Sequence, residues 1–393
     1  MGHASKRMRH AALRRLVRMI VFVRSYVADF DARLGKYFDV LADASVPFRF
    51  LGWCRDGAPS ALKIDQTLFH LKARLGGGWR NALALVRWNA FILWQLYCLR
   101  HHVRVVHAID LDSAMASWVF CKLFRKRLVF DIYDKYTAVR SISGAVGRAL
   151  DAIESSIAKS ADLTLIVSEQ RFAQHGLSPQ QANVLVLENV PVERPVPIPT
   201  HTSTAAPWKL GYFGVLEPHH RGLEDLLRTC MGRADVTLHV AGYGGLAPLF
   251  QQAATEQPNV FFHGAVSSAQ GLALMADMDV VVGLYYLTVP NHAYASPNKY
   301  YEHLMLGRGM LTTVGTPPSV ATTASGSGWS VAEGQDAIAR WLDRLDAVSI
   351  ANAGIQAKKV WQEKYVTYYT SHYRGEYVGR IKSLIAVNPS ING

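Results

Sequence analysis

The chain has 393 residues, half of them hydrophobic, enough for two domains that each bury a core. Its four cysteines, Cys54, Cys98, Cys121 and Cys230, lie far apart without metal-ligand spacing, which argues against a disulfide framework or a zinc site and fits a reducing cytoplasm. The net charge is +12, and residues 1–200 carry 28 Lys and Arg against 16 Asp and Glu while residues 201–393 carry 14 of each, so the first half is either a soluble basic domain or one suited to a polyanion such as nucleic acid, an acidic membrane surface or a lipid phosphate.

In chain order, residues 1–13 are basic and show no core. The apolar run after them is only five residues long (19–23), too short for a signal peptide, and reads as part of a first strand at 18–25. A helix is expected at 31–44, with Leu34, Phe38 and Leu41 at core spacing behind an Asp cap, and a strand at 48–53. This opening is Rossmann-like but lacks the glycine fingerprint of dinucleotide binders, so it does not predict NAD. Residues 81–99 (NALALVRWNAFILWQLYCL) nearly match a bilayer in length, but Arg87, Asn89 and Gln95 argue against spanning. Two readings stay open for this segment: a buried helix, or an interfacial helix carrying Trp88 and Trp94.

Strands at 104–108 and 127–132 bring His107, Asp110, Asp112, Asp131 and Asp134 to one sheet edge, where a catalytic pocket is expected. Asp112 has an alternative as the cap of a helix at 113–123, and Asp131 as a loop hydrogen-bonder. A helix at 145–159 and strands at 163–167 and 184–187 complete the first domain. Residues 190–207, rich in Pro and Thr, read as a linker. Beyond it, strand and helix alternate again through strands at 209–213, 236–241, 260–263, 279–284 and 310–314, with helices around 336–345 and 351–369. Two open α/β domains result, and the cleft between them is the expected site.

The stretch 294–309, YASPNKYYEHLMLGRG, carries the sharpest chemistry. Ser296 as N-cap and Pro297 at the first helical position mark a helix start, whose free amides favour an anion. Lys299 in the first turn opposes the helix dipole unless a negative ligand offsets it, and Glu302 is placed to accept hydrogen bonds from sugar hydroxyls. The alternative is a solvated i, i+3 pair.

The segments YFGVLEPHHRGLEDLL, LHVAGYGG, VFFHGAVS and SPNKYYEHLMLG, with looser matches in FDIYD, ADLTLIVSE and LENV, resemble the retaining family 4 glycosyltransferases of the GT-B fold. The closest branch is the bacterial polysaccharide one with a Pro-Asn-Lys motif. The resemblance implies an α/β GT-B architecture of two Rossmann-like parallel-sheet domains facing across a cleft. It divides the chain into an acceptor domain at 1–195, a nucleotide-sugar domain at 205–370, and a helix at 371–393 returning to the first.

It further implies a UDP- or GDP-sugar donor held by Gly214, Arg221, Gly242, Gly264, Ser296, Asn298, Lys299 and Glu302, with Asp131, Asp134 and His107 as catalytic candidates. No metal or cofactor is expected. The implied partners are a lipid-diphosphate-linked glycan acceptor and an anionic membrane surface, with no nucleic acid, and the implied location is peripheral on the inner face of the plasma membrane. The chain departs from the family at Tyr294, Val215 and Tyr133, which stand where many members have a glutamate, a basic residue and a histidine. The rival readings are a nucleotide-sugar epimerase and an inactive nucleotide- or glycan-binding scaffold.

Overall fold

The computed structural model describes residues 18–29, 31–55, 57, 60–73, 78–192 and 203–386. The basic stretch 1–13 and the middle of the Pro-rich linker, 193–202, lie outside the described residues. The chain forms two compact units, one of Met1–Leu187 with Ser371–Gly393 and the other of Glu188–Thr370.

The first unit is built on seven strands: β1 (Met19–Arg24), β2 (Phe48–Cys54), β3 (Gln66–His70), β4 (Val103–Ile109), β5 (Arg127–Ile132), β6 (Leu163–Ile166) and β7 (Val184–Val186). Their order is 3-2-1-4-5-6-7 with parallel pairings throughout. A parallel sheet covered on both faces needs apolar residues at successive positions, and the MIVFVR of β1 supplies them. Val21 and Val23 join Leu51, Trp53 and Trp88 in one core layer. Phe22 turns to the other face and meets Tyr37 and Phe38 of helix α1 (Ala32–Asp43). Asp31 caps α1 by accepting from the amides of Arg33 and Leu34.

Helix α2 (Gly78–Cys98) presents Ala84, Trp88, Ile92 and Leu96 to that first layer, four residues apart and so on one face. The Trp88 ring stacks on Trp53 at 5.7 Å. Of the two readings of segment 81–99, the buried helix accounts for Trp88, which the interfacial reading places at the membrane but which packs in the core, while Trp94 is exposed. Among the described residues no helix is long and apolar enough to cross a membrane. Helix α3 (Leu111–Phe124) starts two residues before the expected 113. Asp112 therefore lies inside its first turn rather than at its cap, and its carboxylate accepts from Ser25 Oγ at 2.7 Å and from Arg140 at 3.0 Å.

The second unit holds β8 (Trp208–Phe213), β9 (Val236–Ala241), β10 (Val260–Phe262), β11 (Val280–Gly283), β12 (Gly309–Thr313) and β13 (Gly328–Val331). The order is 10-9-8-11-12-13, again parallel. Each sheet thus reverses its strand order once, between β1 and β4 in the first unit and between β8 and β11 in the second. Loops leaving the carboxyl ends diverge at such a point and leave room for a ligand. The helix Ala347–Val360 continues through two π-helical segments, Trp361–Tyr365 and Tyr369–Tyr377, and the chain from Ser371 onward belongs to the first unit.

Candidate active site

Glycine lines the reversal point of the second sheet. Gly214 and Gly242 directly follow β8 and β9, Gly264 lies just past β10, and their φ values are 152°, 154° and 67°. Their backbones are tied together, the Gly214 N–H donating to Ala241 O at 2.9 Å and the Gly242 N–H to Gly264 O at 2.8 Å. A Cβ on Gly242 would stand 1.8 Å from the Gly214 carbonyl oxygen, so the two turns approach this closely only because Gly242 carries no side chain. Gly242→Ala is expected to lower thermal stability by several kcal/mol equivalents, on the order of 2–4, and to weaken UDP binding, as read by thermal melts with and without UDP. A melt and a UDP affinity equal to the parent's would show that this close approach does not matter.

Two cations stand on aromatic rings beside this floor. Lys299 Nζ lies 3.8 Å from the Tyr212 ring centroid, and a Cβ on Gly214 would be 3.1 Å from it. The Arg221 guanidinium lies 4.7 Å from the Tyr285 centroid, and its Nε donates to Glu217 at 3.1 Å. Lys299 is only 7% exposed. Burial pushes its ammonium down to about 7, Arg221 pushes it the same way, and Glu302 pulls it back. A buried lysine repelled by an arginine is a poor arrangement for the empty protein and a good one for holding an anion.

The helix that carries Lys299 runs Asn298–Leu306, and its start differs from expectation. Pro297, not Ser296, occupies the N-cap, in an extended conformation (φ −75°, ψ 146°) without a side-chain capping bond. The Pro297 carbonyl accepts from the Tyr300 amide, so the helix begins one residue later, and the Ser296 hydroxyl turns to Tyr301 OH at 3.4 Å. Asn298 and Lys299 become the first two helical residues, whose amides have no acceptor within the helix. The helix still opens on free amides, while Ser296 becomes a support, its carbonyl taking Asn189 Nδ2 at 2.8 Å. Glu302 lies one turn on and is half-buried.

In the first unit Asp131 and His107 come together and Asp134 does not. Asp131 is fully buried; Oδ1 accepts from Arg33 Nη2 at 3.1 Å, and Oδ2 from Arg33 Nε at 3.3 Å and Tyr37 OH at 2.7 Å. His107 Nε2 is 3.4 Å from Oδ2, and its Nδ1 is 3.1 Å from Tyr377 OH. Burial alone would raise the Asp131 carboxyl, but Arg33 and His107 more than offset that and hold it at about 2. Burial likewise keeps His107 below its ordinary value, against the pull of Asp131. Asp134 stays at the surface, paired with Arg171 at 3.0 Å.

Asp110, which directly follows β4 and precedes α3, adopts φ 59° and ψ 164°, a region that side chains other than glycine rarely enter. Its Oδ1 accepts from the Tyr133 amide at 3.0 Å. Burial pushes its carboxyl up to about 8, against the pull of Arg24. Sequence reading places Asp110 at the right edge but gives no sign of its backbone. Tyr212 and Tyr285 are likewise missed as supports for the two cations. For Tyr212 the available signal is its place near the end of a strand that runs into a glycine, as in YFG, whereas Tyr285 lies beyond the end of β11 and offers none.

No family model matches the chain. A curated relative is the succinoglycan biosynthesis protein ExoL of Rhizobium meliloti (strain 1021), 28% identical over 185 residues, which cover 44% of this chain and 46% of that protein. The match thus spans about half of the relative's length. Among solved structures, Anabaena Alr3699/HepE in complex with UDP and glucose superposes with a TM-score of 0.66 at 15% identity, over 93% of this chain and 100% of that one. The fold is GT-B. A second GT-B structure, WaaG, a glycosyltransferase involved in lipopolysaccharide biosynthesis, superposes with a TM-score of 0.61 at 14% identity, over 90% of this chain and 98% of that one. The two parallel sheets with 3-2-1-4-5-6 cores are those of a GT-B protein, and the second contributes the glycine floor and paired cations described above.

Proposed function

We propose that the chain is a retaining glycosyltransferase of the family 4 type, moving a hexose from a nucleotide-sugar to a lipid-diphosphate-linked glycan during bacterial exopolysaccharide or surface polysaccharide assembly. The observation that carries this reading is the buried Lys299 beside Arg221, at the reversal point of the second sheet and at the first turn of a helix. Such an array suits a diphosphate: two fixed cations and free helix amides stabilise the charge that builds on a departing nucleoside diphosphate. UDP is the first nucleotide to test, because HepE was solved with UDP and glucose, with GDP second. Polysaccharide assembly is favoured by the ExoL and WaaG likenesses.

Glu302, one turn beyond Lys299, is assigned to the ribose hydroxyls, and Gly214, Gly242 and Gly264 to the floor on which the backbone can approach the donor. In the first unit Asp134 is the surface candidate for orienting an acceptor hydroxyl, while Asp131 and His107 hold the ground beneath it. The fixed cations make a metal unnecessary, so transfer of labelled glucose from UDP-glucose to a glucosyl-diphosphate lipid should continue in excess EDTA. Loss of activity in EDTA that magnesium restores would overturn the metal-free reading. A sugar altered while still on its nucleotide, with no acceptor present, would establish the epimerase instead. Tight UDP binding with no transfer to any acceptor would establish the scaffold.

A further inference from the structure

The loop that leaves the carboxyl end of β11 holds a buried titratable group that the reaction proposed above does not use. It is His292, on the 3-10 turn Pro290–Tyr294, and only 7% of it is exposed. Its Nδ1 lies 2.7 Å from the Tyr286 carbonyl oxygen. That carbonyl belongs to a residue held at both ends. The Tyr286 amide donates to His220 O at 3.0 Å, and its hydroxyl donates to Asp225 Oδ2 at 2.6 Å while accepting from the Gly334 N–H at 3.0 Å. The His292 ring is thus oriented from a fixed point.

A carbonyl oxygen only accepts, so Nδ1 carries the proton, and in the neutral ring Nε2 is a bare acceptor. The ring stays neutral at pH 7. Burial lowers its proton affinity and Arg221 lowers it further, against pulls from the Tyr286 carbonyl and Glu217 and with a smaller push from His220. Among the described residues no hydrogen bond reaches Nε2. His292 meets Tyr285 edge to face, the ring centroids 5.4 Å apart and the planes at 88°, and the Tyr285 ring in turn carries the Arg221 guanidinium at 4.7 Å. An unpaired acceptor therefore stands one ring away from a cation of the candidate diphosphate site. Phosphate oxygens cannot donate to it. A hydroxyl can, and the group joined directly to the diphosphate of a nucleotide-sugar is a ring rich in hydroxyls.

We propose that His292 reads the transferred hexose, its Nε2 accepting a hydrogen bond from one sugar hydroxyl of the bound nucleotide-sugar. The inference rests on the reading of Lys299 and Arg221 as the diphosphate site, a reading that leaves the sugar itself without a protein partner. A neutral imidazole supplies the acceptor without setting a negative charge beside the diphosphate. It makes His292 a specificity-determining residue: a donor is preferred when it turns a hydroxyl toward Nε2 and rejected when that hydroxyl is missing or inverted, because the buried acceptor is then left unpaired.

Two substitutions separate contact with the sugar from support of the loop. Asparagine can keep the bond to the Tyr286 carbonyl through its Nδ2 but ends short of the Nε2 position, whereas glutamine reaches that position with an amide oxygen. The full chain and both variants are compared by calorimetry with UDP, and by turnover with UDP-glucose, UDP-galactose and the monodeoxy analogues of the better donor. His292→Asn should bind UDP as the parent does and lose about tenfold in kcat/KM for the better donor, with the preference over its epimer gone. Deleting one particular hydroxyl from the donor should cost the parent about the same tenfold and cost His292→Asn nothing, because both deletions break one bond. His292→Gln should recover part of the loss. If His292→Asn turns over every donor like the parent, or keeps the parent's penalty for every deoxy donor, His292 does not touch the sugar. An equal loss for UDP and for the UDP-hexose would put Nε2 on the nucleotide and also overturn the proposal, with the diphosphate site intact. A parent protein that does not bind UDP at all would remove the reading of the site, and this inference with it.

Discussion

Lys299→Met is expected to stabilise the ligand-free protein and, at the same time, to lower its affinity for UDP by about a hundredfold, the equivalent of one lost charge-assisted contact. The stabilisation follows from the ammonium's environment. Its proton affinity in the folded protein is depressed to about 7, whereas in the unfolded chain a lysine titrates near 10.4. Below pH 7 both states carry the proton and the fold bears the full cost of a buried charge; as the pH rises from 7 toward 10 the folded protein sheds the proton first, and the cost disappears. Methionine keeps the stem and removes the charge, so the gain in melting temperature should be largest at pH 6 and vanish near pH 10.

UDP reverses the balance. A diphosphate restores the ammonium, so the parent protein should take up a fraction of a proton on binding UDP at pH 7.5. Calorimetry in two buffers of different ionisation enthalpy measures that uptake, which Lys299→Met should lack. Uridine without phosphates should bind parent and variant alike. Glucosyl transfer should fall further than UDP affinity if charge builds on the leaving group. If Lys299→Met binds UDP like the parent and transfers at the parent rate, the donor does not lie at this helix.

The second large effect is structural. Arg33→Met should cost about 3–5 kcal/mol of stability in urea unfolding, because it leaves Asp131 as an uncompensated charge in the interior. Adding Asp131→Asn to that background should recover part of the loss, since the stranded charge is then gone. Acid gives an independent reading of the same pair. The Asp131 carboxyl is held at about 2 in the folded protein, below its value near 3.9 in an unfolded chain. Its contribution is therefore complete above pH 4 and is lost as the pH falls toward 2. If Asp131→Asn alone keeps full stability and UDP affinity yet loses transfer, the carboxylate acts in chemistry and not in holding the sheet edge.

How far the sequence foretells all this depends on where each signal lies. Central strands are legible because a doubly covered parallel strand must be apolar at every position, as in the VVVG of β11 and the MIVFVR of β1. The edge strands β3 (QTLFH) and β13 (GWSV) carry no such run: they are only partly buried, and their polar positions resemble loop. The glycine turns are legible for a different reason, since Gly214 and Gly242 each follow an apolar strand and precede a helix.

The buried charge network is not legible. Arg33 and Lys36 fall in the amphipathic pattern of α1 as ordinary solvent-facing residues, yet both are buried. Their burial is made possible by tyrosines some 340 positions away, Tyr373 lying under the Lys36 ammonium at 4.7 Å and within 3.5 Å of Arg33 Nη1. Local periodicity cannot report a partner at that distance along the chain. At the start of helix Asn298–Leu306 the difficulty is smaller. Ser-Pro suits either N-cap with N1 or the pair one step earlier, and only the Pro297 carbonyl's bond to Tyr300 decides between them.

The return of residues 371–386 to the first unit bears on how the protein is made. As the ribosome proceeds, α1 and the first seven strands emerge with Arg33, Lys36 and His107 in place, but Tyr373 and Tyr377 are still unmade. All of 188–370 must be translated in between, which at bacterial elongation speeds of 5–20 residues per second takes about 10–40 s. During that interval the second unit, contiguous in the chain, has everything it needs to fold, while the first must wait with a gap beside its most costly charges. The earlier half of the protein is therefore the later to mature. That wait gives a trigger-factor-like holdase its window, and it makes a chain interrupted anywhere before Tyr373 defective in a unit whose own strands were finished long before.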